Sequence, residues 1–128
     1  MEPTVTPAEY AALRAAVDWP VCPPAEAEAA LQRSLAVAIA RNADGRLVGL
    51  ARAVGDGFYV VVVDVIVDPR EQDQGIAHRL LTDLLATQPV RAAGHLTLFA
   101  APEAVGLYEE LGFREEKGVY MVRPTPDA

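Results

Sequence analysis

The sequence predicts a mixed α/β domain in which two opening helices precede an antiparallel meander and a strand-helix-strand crossover. Three observations carry this. Tyr10, Leu13 and Val17 recur at helical spacing near the start. "LAVAIAR" and "RLVGLARAV" are two strand-compatible runs separated by "NADG", the kind of connection that closes a hairpin. The long run "FYVVVVDVIV" then leads through a loop and a glycine into a helical pattern, and "HLTLFA" follows it as another strand-like run.

The elements follow in order. "TPAE", Thr6 to Glu9, has the form of a capping box, with threonine as N-cap, proline at the first helical position and glutamate at the third, so the first helix runs to about Asp18. "WPVCPP" breaks it, and Pro24 opens a second helix carrying Ala27, Ala30 and Leu31 on one side and ending near Ser34. Strands are expected at about Ser34 to Arg41 and Arg46 to Val54, with a turn at Gly55 to Gly57. "FYVVVVDVIV" is β-branched and apolar on both faces, which predicts a central strand covered on both sides. Ile76, Leu80, Leu81, Leu84 and Leu85 mark one face of a helix lasting to about Thr87. Glu103 to Leu111 reads as a short helix closed by Gly112, and "FREE" and "VYMVR" as a last hairpin around "KG". The ends, "MEPT" and "PTPDA", are expected to fray.

At 128 residues and 52% hydrophobic content the chain suits a single domain, 1–128, with one proper core. A formal net charge of −7 argues against nucleic acid as a partner, because phosphate-backbone binding needs clustered lysine and arginine. No window has the length of a membrane span and the start lacks a basic-then-apolar leader, so no membrane partner is expected. The single cysteine, Cys22, lies between prolines with no histidine near it in sequence. It forms no internal disulfide and reads as a small apolar turn residue, and the expected compartment is the reducing cytoplasm. His78 and His95 are too isolated in sequence to make a metal site, and none is expected.

Gly75 is the position that asks for a reason. Glycine inside a helix costs roughly 1 kcal/mol relative to alanine, so its place at a helix mouth either permits a turn or lets something approach the backbone. The first N–H groups of a helix have no internal acceptor and carry about half a positive charge, which stabilises an anion. With only a methyl at Ala77, and amides from Gln72 and Gln74 nearby, a phosphate would find room and donors. The P-loop's lysine and hydroxyl are missing, as are the three glycines of the dinucleotide fingerprint.

"QDQGIA" matches the Q/R-x-x-G-x-G/A signature of the GCN5-related N-acetyltransferase (GNAT) superfamily, and "YEELGF", Tyr108 to Phe113, resembles its second hallmark, Y-x-x-L-G-F. The order of helices, meander and final hairpin is similar across most of the chain. The resemblance implies a twisted, mostly antiparallel sheet of about six to seven strands with a central splayed parallel pair, flanked by about four helices. It implies acetyl-CoA as co-substrate, its pyrophosphate held by Gln72, Asp73, Gln74, Gly75, Ile76, Ala77 and His78. Its pantetheine arm would pair with the backbone of Val65, Ile66 and Val67 like an added strand. A homodimer is the family's common state. Ala101, Pro102 and Glu103 stand where the family often has an asparagine, so an asparagine-assisted cofactor contact is not expected.

The implied reaction is direct attack of a primary amine on the thioester, with a small-molecule and, given the acidic charge, cationic acceptor. An amine with a reference pKa of about 10.4 must lose a proton first, and the leaving thiolate must gain one. Tyr108 occupies the position of the family's catalytic tyrosine and is the candidate general acid; on helical spacing alone it would pack beside Leu107 and Leu111. Asp64 interrupts the apolar strand. It is either the general base or a structural carboxylate held by backbone or an arginine, and a chain of waters would replace it in the first role. Two other readings stay open: an acyl-CoA-binding or regulatory module of the same fold with weak catalysis, and an unrelated nucleotide-binding regulatory domain using the loop for another phosphate.

Overall fold

The computed structural model of the chain describes residues 4–125; the outermost residues expected to fray, 1–3 and 126–128, lie outside them. Its first helix, α1 (Pro7–Ala16), begins as the sequence predicts. Thr6 Oγ1 accepts from the Glu9 N–H at 3.1 Å and the Glu9 carboxylate accepts from the Thr6 N–H at 3.1 Å. α2 (Pro24–Gln32) follows, opened by the proline at its first position. The meander is β1 (Ala36–Arg41), β2 (Leu47–Gly55) and β3 (Tyr59–Val67), each antiparallel to the one before. Then come α3 (Ile76–Ala86), β4 (His95–Leu98), which is parallel to β3, and the short α4 (Val105–Glu110).

The sheet has the order β1-β2-β3-β4 and packs between two layers. On one face the alanines of β1, with Val60, Val62 and Leu80, Leu81 and Leu84 of α3, make one core. On the other, Tyr10 and Leu13 of α1 and Ala27 of α2 pack on Leu47, Leu50 and Ile66. α3 lies close to β2 because Gly49 has no side chain; a Cβ there would meet Ile76 and Leu80 methyls at 3.0 Å.

Strict alternation along β3 fails at one place, and that place matters for the site. Arg52 pairs with Asp64 and Ala53 with Val62, so Val63 is an extra residue, a β-bulge. One inserted residue exchanges the faces of everything after it. Val60 and Val62 lie on the α3 face, whereas beyond the bulge Val65 and Val67 take that face and Ile66 turns to α1 and α2.

Two expectations need correction. Among the described residues the sheet has four strands, not six to seven. Although "VYMV" has strand-forming residues, no backbone hydrogen bond joins residues 114–125 to another described main-chain group, and propensity without a pairing edge does not make a strand. β3 is also not covered on both sides throughout, since Tyr59, Val61 and Val63 are exposed. β4 is one of the two edge strands.

Candidate active site

β4 pairs with β3 only from Tyr59 to Val62, where Val62 stands opposite Leu98. Past that point the two strands have no ladder between them, and the edge of β3 over Val63–Val67 is open on that side. The bulge sits at the same level. Ile66 is buried on the α1 and α2 face and Val65 and Val67 are half-buried on the other, so the backbone edge is what these three residues can offer a ligand.

At the end of this edge, Asp68 anchors the loop. Its buried carboxylate accepts from the Arg70 N–H at 2.9 Å, from Arg70 Nη2 at 3.0 Å and from Arg46 Nη1 at 2.7 Å. The Arg70 guanidinium and N–H, then Arg46, hold its carboxyl far below the ordinary carboxylate range. Because the folded form releases this proton more readily than the unfolded form, the contribution is full above about pH 4 and is lost as pH falls below it. Urea midpoints between pH 6 and pH 2 are expected to fall less steeply for Asp68→Asn than for the unaltered chain.

Gly75 is the N-cap of α3 with φ 74°, in the left-handed region that glycine enters without cost. A glycine N-cap has no side chain to accept from the first turn of α3, and its N–H donors are therefore uncapped. Asp73 is also left-handed, at φ 65°. Gln74, Gly75 and His78 are exposed around this helix end, Ala77 is half-buried, and Ile76 packs into the core under α3. Gln72 Nε2 donates to the Val67 carbonyl at 3.3 Å, tying the loop back to the end of β3. The open strand edge and the uncapped helix end are thus neighbours.

Tyr108 packs against the α3-side core, its ring edge-on to Phe113 with centroids 6.0 Å apart. Burial raises its phenol above its ordinary value. It also lines a cleft of about 650 Å³ between β4, α4 and the segment after Phe113. The ring thus packs as helical spacing alone predicts, and it also borders this cleft.

Asp64 lies on the other side of the sheet, facing α1. Its Oδ2 accepts from the Tyr10 hydroxyl at 2.5 Å and from Arg52 Nε at 2.9 Å, and Arg14 Nη1 lies 3.8 Å from Oδ1. Burial, followed by the bond to Asp64, raises the Tyr10 phenol. Arg52 continues the network to Ser34 Oγ at 3.3 Å. A carboxylate with these donors has the partners that the structural reading requires. The structure does not bring Asp64 and Tyr108 together.

Tyr10, Arg14 and Arg52 are the residues that sequence reasoning missed. The signal was present for one of them, since Arg52 breaks an apolar strand as Asp64 does. Two opposite charges in adjacent strands of a meander are candidates for a cross-strand pair. His95 stacks on Tyr59 with centroids 4.9 Å apart, away from the open edge.

A family model described as an acetyltransferase (GNAT) domain matches residues 8–122. A histone acetyltransferase, TAP1, of Glycine max is 37% identical over 111 residues, 78% of this chain and 48% of that protein. GCN5-related N-acetyltransferase 1, chloroplastic, of Arabidopsis thaliana is 33% identical over 115 residues, 85% of this chain and 58% of that protein. The chain spans about half the length of the curated relatives it matches. Among solved structures, a GNAT-family acetyltransferase of Streptococcus pneumoniae, SP0256, superposes with a TM-score of 0.78 at 32% identity, covering 95% of this chain and 94% of that one. An aminoglycoside N-acetyltransferase, AAC(6')-Iy, in complex with CoA superposes with a TM-score of 0.69 at 25% identity, covering 92% and 88%. The cytoplasmic expectation is overturned by these relatives, several of which are chloroplastic by name. A lone cysteine excludes a disulfide framework but does not tell one reducing compartment from another.

Proposed function

Because this chain belongs to the GNAT acetyltransferase family, whose domain model matches it from residue 8 to residue 122, we propose that it moves an acetyl group from acetyl-CoA to a primary amine of a small molecule. The observation that carries the reading is the adjacency of the open β3 edge to the uncapped first turn of α3. The backbone of Val65, Ile66 and Val67 would take the pantetheine arm as an added strand, and the helix end would take the pyrophosphate. Gln72, Asp73, Gln74, Gly75, Ile76, Ala77 and His78 surround that helix end, and the CoA bound to a structural neighbour supports the choice of co-substrate.

The amine attacks the thioester carbonyl, the C–S bond breaks, and the thiolate leaves. Tyr108 supplies the proton that the thiolate takes up, and its raised pKa keeps the phenol protonated at neutral pH. Asp64, engaged by Tyr10 and Arg52, serves as a structural anchor, and water carries the amine proton away. The histone acetyltransferase among the relatives makes a lysine side chain the acceptor to test beside small amines.

The test follows free thiol while the protein is incubated with acetyl-CoA and a panel of polyamine, aminoglycoside, arylalkylamine and lysine-peptide acceptors. Release above the acceptor-free rate is expected with at least one small amine; release with none, or with the peptide alone, rejects the reading. Gly75→Val is the second arm. A Cβ at Gly75 meets nothing within 4 Å, so its cost comes from the left-handed backbone, about 1–2 kcal/mol, and from the branched side chain in the path of a phosphate. CoA affinity measured by calorimetry is expected to fall at least about tenfold, the equivalent of 1.4 kcal/mol, while the far-ultraviolet circular dichroism is unchanged.

A further inference from the structure

Of the 11 lysine and arginine residues in the sequence only Lys117 is a lysine, so the chain carries a single ε-amine. That amine stands beside the candidate general acid. Lys117 and Tyr108 line the same cleft of about 650 Å³, with Phe113 and Tyr120 on its walls. Lys117 and Gly118 make the bend between Phe113 and Val119, where Gly118 takes φ 145°, a conformation that glycine enters without cost. A Cβ at Gly118 would meet nothing within 4 Å, so the bend has open space beside it. The Lys117 side chain is exposed and takes part in no ion pair among the described residues. Its neighbour Glu116 is held by Arg114 Nε at 2.8 Å. A lysine without a partner keeps the rotamer freedom of its four-carbon stem and can sweep the cleft.

We propose that Lys117 is acetylated by its own chain when acetyl-CoA is bound and no other amine is present. The inference rests on the acetyl-transfer reading, with the coenzyme arm on the β3 edge and Tyr108 as proton donor. If Tyr108 hands a proton to the leaving sulfur, that sulfur lies within hydrogen-bond reach of the phenol, and the thioester carbonyl carbon is one bond further. An amine in the cleft that Tyr108 lines can then reach that carbon. The step balances. The Lys117 ammonium loses a proton to water, Nζ attacks the carbonyl carbon, and a C–N bond forms as the C–S bond breaks. The thiolate takes the phenol's proton, which solvent restores, and the products are acetyl-lysine and free CoA. Because the amine is tethered at the cleft, its effective concentration there is high without any binding step. The reaction stops at one acetyl group per chain, since no second ε-amine exists.

The purified chain is incubated with acetyl-CoA and no other amine, and followed by intact mass and by free thiol. One acetyl group and one thiol per chain are expected, with the acetyl group mapped by peptide fragmentation to Lys117. Lys117→Arg, a change at an exposed site, is expected to abolish both. The rate is expected to exceed that of the chain unfolded in urea by at least about a hundredfold, and to fall by about a hundredfold in Tyr108→Phe. Its half-time should not depend on chain concentration, because the bound coenzyme and the accepting amine belong to one chain. An acetyl group on the chain's first amine in place of Lys117, equal rates in the folded and unfolded chain, an unchanged rate in Tyr108→Phe, or a half-time that shortens in proportion to concentration overturns the proposal. Failure here is distinguishable from failure of the acetyl-transfer reading. Thiol release with a small amine but no acetyl group on Lys117 rejects self-acetylation alone, whereas no release with any acceptor and no acetyl group on Lys117 rejects both.

Discussion

Replacing Tyr108 by phenylalanine is expected to lower the turnover of acetyl transfer by about a hundredfold or more, while CoA binding stays within about twofold. The ring remains, so its packing on the α3-side core and its edge-on contact with Phe113 are kept. Only the hydroxyl, and with it the transferable proton, is removed. Steady-state kinetics and calorimetry with CoA on the same preparation check the two halves, and a melting temperature within a few degrees of the unaltered chain shows that packing was preserved. If turnover falls only a few-fold, Tyr108 is a core residue and the thiolate takes its proton from elsewhere. The pH profile adds a sign. Burial raises the phenol's pKa, so loss of activity from its ionisation belongs above about pH 10 and not in the neutral range.

Asp64→Asn is expected to be the most destabilising single change, by about 3–5 kcal/mol, because it leaves the Arg52 guanidinium largely buried without its countercharge. For a domain of this size that corresponds to a fall in melting temperature of roughly 11–19 °C. Activity per folded molecule, measured well below the new melting temperature, should remain within a few-fold of the unaltered chain. That second measurement separates the two roles the sequence left open. A general base would lose turnover by about a hundredfold or more and lose the acidic limb of its pH–rate profile, whatever the stability did. The double variant Asp64→Asn with Arg52→Met should recover part of the stability, since removing both charges removes the unpaired one.

Local chemistry was legible without coordinates wherever a short stretch determines its own conformation. The Thr6–Glu9 capping box, the proline opening α2, the "NADG" hairpin and the αL glycine at the mouth of α3 all form between residues close in sequence. Their free-energy differences do not depend on distant partners. The motifs "QDQGIA" and "YEELGF" belong to the same class, which is why the family was readable from them. The last hairpin was misread for the converse reason. Its residues favour a strand, but a strand exists only when another edge accepts its hydrogen bonds, and pairing is a property of the assembled sheet.

What the sequence by itself determined is the order of elements as far as α4, their boundaries to within a few residues, and the glycine that opens α3. Only the tertiary structure decided which face each residue of β3 serves. One unpaired residue, Val63, shifts the pleat by a single position and turns Asp64 toward Tyr10 and Arg52, while Val65 and Val67 turn toward α3. A period-two pattern cannot announce where a register slips, because a run of valines reads the same on either side of the bulge.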